Sequence, residues 1–130
     1  MQIYESIMVD AHDHVTTGLL SGLRYAKDNR ILPRGFEKST ADADVAVKGD
    51  AEGDPGFTSG VARTRYSVDV SHGHGPYRVD AELWYQPIGF RWAKNLRLQP
   101  SDEGKRFLRY YETMADVSAI VLARDSVTIR

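Results

Sequence analysis

The run YRVDAELWYQPIGFRW, residues 77–92, decides the fold. Tyr77, Val79, Ala81, Leu83 and Tyr85 share one parity, and Arg78, Asp80 and Glu82 share the other. Period-two alternation places the first set on one face of an extended strand and the second set in water. At Trp84 the polar parity turns aromatic, so the second half of the run reads as covered on both sides. The expectation is a central strand of an antiparallel sheet whose far end passes under another layer.

Working outward, residues 61–70 carry the next clear alternation, Tyr66, Val68 and Val70 against Arg65, Ser67 and Asp69. The link between the two runs, SHGHGP at 71–76, is short and glycine-rich, which predicts a hairpin. Downstream, Ser101 can cap a helix, and Asp102 and Glu103 suit the positive end of its dipole. Phe107, Leu108, Tyr111, Met114 and Ala115 then recur at helical spacing, so one helix is expected over residues 102–115. The apolar runs 119–123 and 127–129 read as buried strand.

The first half is punctuated more often. Residues 2–9 read as a strand ended by the polar turn 10–14, and residues 16–25 as a second strand, because paired Thr favours extension and two Gly weaken a helix. Lys27, Asp28 and Asn29 are turn formers, and Pro33 and Gly35 interrupt an edge segment. Residues 45–47 form a short strand before the loop 49–56. Short strands with frequent turns and one late helix describe a mainly β chain. The expected fold is an antiparallel β-sandwich of jelly-roll type, forming a single domain over residues 1–130, with a half-open barrel as the other architecture the pattern admits.

Composition bounds the function. Seventeen basic and eighteen acidic residues give a formal charge of -1 without a block of like charge, so no electrostatic footprint for nucleic acid or an anionic membrane is present. With 42% hydrophobic and 27% charged residues the chain belongs to the ordinary globular class. No apolar run approaches the roughly eighteen residues of a membrane span. There is no cysteine, which excludes thiol catalysis, disulfides and covalent haem attachment within this chain. The N-terminus lacks the basic and apolar regions of a secretion signal. Since residues 2–9 already read as strand, Met1 reads as a start placed at the edge of a domain excised from a longer protein.

Four groups of residues could carry chemistry. His12 and His14 in one turn and His72 and His74 in another would give four imidazole ligands for zinc, nickel or copper if the turns met, although His and Asp are also ordinary turn residues. Asp50, Glu52 and Asp54 alternate like the first positions of a calcium loop, but Pro55 follows, and Val61 stands where an EF-hand has its last Glu. Trp84, Tyr85, Phe90, Trp92, Tyr110 and Tyr111 could form a sugar-stacking platform, although core packing of the same rings is the plainer account. Asp80 with Glu82, and Glu5 with Asp10, are carboxylate pairs of the kind a glycosidase uses. No nucleophile elbow, phosphate loop or metalloprotease helix accompanies them.

QIYE at 2–5 with TTGLL at 16–20, YAKDNRILPRGF at 25–36 and LWYQPI at 83–88 together resemble the β-sandwich domain that sits C-terminal to multihaem cytochrome c-like regions in bacterial periplasmic proteins. The resemblance carries over no catalytic or ligand residue. It implies an exported parent, periplasmic or extracellular, with haem bound by CXXCH motifs outside this chain. It also implies a second reading of Lys27, Asp28, Asn29 and Arg30: a surface that docks on the cytochrome region, beside the plainer one of a turn held by Asp28 and Asn29.

The first expectation is therefore a non-catalytic accessory domain that packs on a redox region of its own polypeptide. The second is a carbohydrate- or other ligand-binding module, with or without a structural metal ion. A hydrolase using Glu82 is the third. An apolar surface bordered by Arg24, Lys27 and Arg30 would favour the first, an exposed Trp84 or Trp92 in a groove the second, and converging carboxylates in a deep pocket the third.

Overall fold

The computed structural model describes residues 1–99 and 101–130, and the chain divides into two compact units, Met1–Ser67 and Val68–Arg130. Among the described residues the regular structure is mostly β, with antiparallel strands and two α-helices. The strands lie in three small separate sheets of three, two and two strands.

In the first unit, β1 (Ser6–Val9) is flanked by β2 (Val15–Thr16) and β3 (Arg24–Asp28), both antiparallel. The turn from β1 to β2 is built by Asp10, whose Oδ1 accepts from the backbone N–H groups of His12 and His14 at 2.8 and 3.0 Å. Asp13 takes a left-handed conformation there (φ 63°), which Asp tolerates better than most residues. The expected strand 16–25 is broken by a turn in which Gly18 accepts from Ser21 and Gly22, so two strands stand where one was expected. A register shift between Ile7 and Met8 bends β1 against β3.

The core of this unit is Leu32, Val47 and Phe57, with Tyr4, Phe36, Ala51 and Ala62 packed around it. β4 (Phe57–Thr58) and β5 (Val61–Ala62) form a minimal hairpin that delivers Phe57, and the Tyr4 ring stacks on Phe57 with centroids 6.4 Å apart. Val47 is buried without belonging to a strand, because only the neighbouring Lys48 pairs with Asp28.

The second unit is a long ribbon and two helices. β6 (Tyr77–Tyr85) pairs antiparallel with β7 (Ile120–Ile129) over nine residue pairs, with a register shift between Leu83 and Trp84. This corrects the expected partner: the structure pairs β6 with the C-terminal strand, while residues 63–70 form neither strand nor helix. The two apolar runs near the C-terminus are one continuous strand.

α1 (Phe90–Leu96) begins at Gly89, where sequence reading expected only the end of β6. α2 (Asp102–Ser118) begins where expected, with Ser101 Oγ accepting from Gly104 N at 3.0 Å, and runs three residues past the expected end at 115. Gly104 is buried; a Cβ there would lie 3.0 Å from the capping Ser101 Oγ and in ordinary contact, 3.5 Å, with the Leu96 side chain of α1. Gln86 Nε2 donates to Ala115 O at 3.2 Å and ties the end of β6 to the last turns of α2.

Candidate functional site

The second unit is notable for what it leaves uncovered. Along β6 and β7 every residue except Tyr77 and Val121 is exposed, including Leu83, Trp84, Tyr85, Ile120, Leu122, Val127 and Ile129. Residues of both parities are open, so neither face of the ribbon is covered. α2 shows the same imbalance. Leu108 is buried, and Tyr111, Ala115 and Ser118 on its stripe are half-buried. The adjacent stripe of Phe107, Tyr110, Met114 and Val117 stands in solvent, with Val117 71% exposed. Their spacing of three, four and three residues is that of a seam that packs against another element.

The area agrees with this picture. The chain exposes 10644 Å². One globule of this mass would expose about 6,900 Å², and two separate globules of half the mass about 8,300 Å². The excess over the larger figure, about 2,300 Å², is more than twice the roughly 800 Å² per partner of a standard interface.

The aromatic residues therefore do not form the core that was the plainer reading. Trp84 is 51% exposed and its Nε1 donates to Glu82 Oε2 at 2.9 Å, while Trp92, on α1, is 49% exposed. Of the carboxylates on β6, Asp80 pairs with Arg78 at 2.8 Å, and Glu82 faces Arg124 at 3.8 Å.

In the first unit the charged segment at 27–30 is largely turned inward. Asn29 is 3% exposed: its Oδ1 accepts from Glu5 N at 2.9 Å and its Nδ2 donates to Ile3 O at 3.0 Å, so the side chain serves residues 3–5 as a strand neighbour would. Lys27 Nζ donates to Ile3 O at 3.1 Å and to Glu5 Oε1 at 3.3 Å. Arg30 donates from Nε and Nη2 to the buried Asp28 carboxylate at 2.9 and 2.5 Å, and those bonds raise its pKa above the ordinary arginine value. The Arg30 guanidinium also lies over the Tyr25 ring, 5.7 Å from its centroid.

Nearby, a cleft of about 490 Å³ is walled by Tyr4 and Phe57 and brings Lys27, Asp50 and Asp54 together with Arg63 and Arg65. Glu52 is not among its lining residues. Asp54 Oδ1 accepts from Gly56 N at 2.7 Å and closes the loop on itself. The backbone carbonyls of Ala51, Asp54 and Phe57 all accept from Lys38 Nζ, at 2.8, 3.1 and 3.0 Å. An ammonium thus stands among oxygens of the very loop that reads as a calcium site. Sequence reading passed over Lys38, which looks like one more polar loop residue.

His12 and His14 share one turn, their ring centroids 6.1 Å apart, while His72 and His74 belong to the other unit. The carboxyl group of Asp10 is held below its ordinary value, first by the N–H of His12, then by that of His14. Among the described residues, no three His, Asp or Glu side chains converge as a metal site would require. Among them, too, no helix is long and apolar enough to cross a membrane. No family model, curated protein or solved structure matches the chain.

Proposed function

We propose that the chain is a non-catalytic accessory and interaction domain of an exported, multihaem cytochrome c-related protein, located in the periplasm or outside the cell, and that the cytochrome region of the same polypeptide covers its second unit. The resemblance in residues 2–5, 16–20, 25–36 and 83–88 supplies the partner. The observation that carries the reading is the ribbon β6–β7 with the open stripe of α2. A two-stranded ribbon alone is marginal in water, and stability comes from further strands or a covering layer. In that assembled form the strands belong to a jelly-roll-like β-sandwich.

The Leu19, Leu20 and Leu23 side chains beside Arg24 in the first unit are also exposed and add to the surface available for docking. The test compares residues 1–130 alone with the full polypeptide. The short form should bind an apolar-surface dye and unfold with low cooperativity, and the full polypeptide should do neither. A short form that is monomeric, dye-negative and cooperatively unfolded would end this reading.

A carbohydrate-binding module is the second reading, and the half-exposed Trp84 and Trp92 are what favour it. Tryptophan fluorescence titrated with soluble polysaccharides separates the two. A saturable shift that is lost in Trp84→Ala would favour the sugar site, and a flat titration the accessory domain. Bound calcium belongs to this second reading, with Asp50 and Asp54 of the cleft as its carboxylates.

A further inference from the structure

β6 has one strand neighbour among the described residues, β7, so its other edge presents unpaired backbone groups. Such an edge invites another strand, and folded proteins cover, twist or charge it. We propose that the outer edge of β6 is a strand-addition site whose occupant is the chain's own segment Val68, Asp69 and Val70, which forms no strand in this structure and would pair only on closing. That segment would convert the ribbon into a three-stranded sheet.

Three observations carry the assignment. The first is the link. Gly73 N donates to Val70 O at 2.9 Å, and the Tyr77 hydroxyl donates to the same oxygen at 3.4 Å. Gly73 is folded onto the Tyr77 ring so closely that a Cβ there would lie 2.7 Å from the hydroxyl oxygen. The loop 71–76 has therefore already turned the chain back toward the start of β6.

The second is register. With that loop as the hairpin connection, Val70 falls opposite Tyr77, Asp69 opposite Arg78 and Val68 opposite Val79. Apolar residues then meet on one face and a carboxylate meets a guanidinium on the other. That charge pair would form in exchange for local bonds, since Asp69 Oδ1 accepts from Ser71 N at 2.9 Å and Arg78 Nε donates to Asp80 Oδ1 at 2.9 Å. A shift by one residue would set Asp69 against an apolar side chain and Val68 against a charge.

The third is exposure. Val68 is 79% exposed, Val70 46% and Val79 49%, so the matching apolar side chains on the segment and on β6 are both open. The six-residue link keeps the segment at a high effective concentration beside this edge, ahead of any strand from another molecule. The closed segment shields the edge and leaves the ribbon's faces as the surface a partner meets. This inference does not depend on the cytochrome reading.

The absence of cysteine makes a clean test possible. The paired variants Val68→Cys with Val79→Cys, and Asp69→Cys with Arg78→Cys, sample both kinds of antiparallel pair. Val68→Cys with Ala81→Cys is the out-of-register control. Under mild oxidation of residues 1–130 at high dilution, at least one in-register pair should form an intramolecular disulfide, and at least tenfold faster than the control. Hydrogen exchange on the unmodified chain gives an independent readout, with at least one amide between 68 and 70 protected at least tenfold beyond those of His72 and His74, since only alternate amides of an edge strand face its neighbour. Disulfides only between molecules would assign the strand to a second copy and overturn the proposal. Failure of both in-register pairs, with unprotected amides, would overturn it as well.

Discussion

Lys38 ties one loop together with a single ammonium. Its ammonium donates to three backbone carbonyls of the 51–57 loop and lies over the Phe57 ring, 5.8 Å from the centroid. Lys38→Met keeps the aliphatic stem and removes the donor, leaving those oxygens to water. We expect a loss of about 2 kcal/mol, the scale of hydrogen bonds to a charged group, read as a lower urea midpoint. A change under about 0.5 kcal/mol, typical of a neutral surface substitution, would show that water serves the carbonyls equally well. Calcium should leave the wild-type midpoint unchanged if the ammonium is the cation that this loop uses. Asp10 offers a second residue-scale expectation. Its folded pKa lies below the ordinary value of 3.8, because the His12 and His14 N–H groups bond to the charged form. A depressed carboxylate contributes its stabilisation above the unfolded pKa and loses it as pH falls through the folded one. The backbone amide shifts of His12 and His14 should therefore titrate below pH 3.8, and a midpoint at or above that value would remove the argument.

At the scale of elements, what was legible depended on whether the cause is local. The start of α2 was readable because Ser101 caps it from three residues away, and its acidic first turn suits the helix dipole. Ser101→Ala should cost about 1 kcal/mol and fray the first turn, visible as lost helical circular dichroism before global unfolding. An unchanged spectrum and midpoint would mean that packing against α1 fixes the start. The end of α2 was not readable, since Ala119 simply becomes extended as the chain enters β7. α1 was missed because Phe90 and Trp92 suit strands as well as helices, and its only start signal is Gly89. The parity of β6 was legible, but its partner was not: β7 lies more than thirty residues downstream, and nothing in either strand's own sequence records the pairing. β7 itself reads as two runs in the sequence because Arg124, Asp125 and Ser126 look like a break. In a ribbon open on both faces polar residues can stand anywhere along a strand.

At the scale of the whole molecule, the proposed function rests on exposure, and the sequence concealed it. Apolar periodicity says which residues want cover, never whether the same chain provides it. Trp84 and Trp92 were named from the sequence, but the core was the plainer place for them until the structure left both half open. Open apolar residues on the ribbon should behave differently in the chain and in its proposed parent. Leu122 on β7 is 61% exposed. Leu122→Glu should change the stability of residues 1–130 by less than about 0.5 kcal/mol, as at other open sites. In the full polypeptide the same change would bury a carboxylate without a partner, so docking should weaken at least tenfold, about 1.4 kcal/mol. Urea unfolding of both forms, followed by tryptophan fluorescence, measures the pair of effects. Equal effects in the two forms would mean that β7 faces water in both, and the cover proposed for the ribbon would have to be sought on α2 alone.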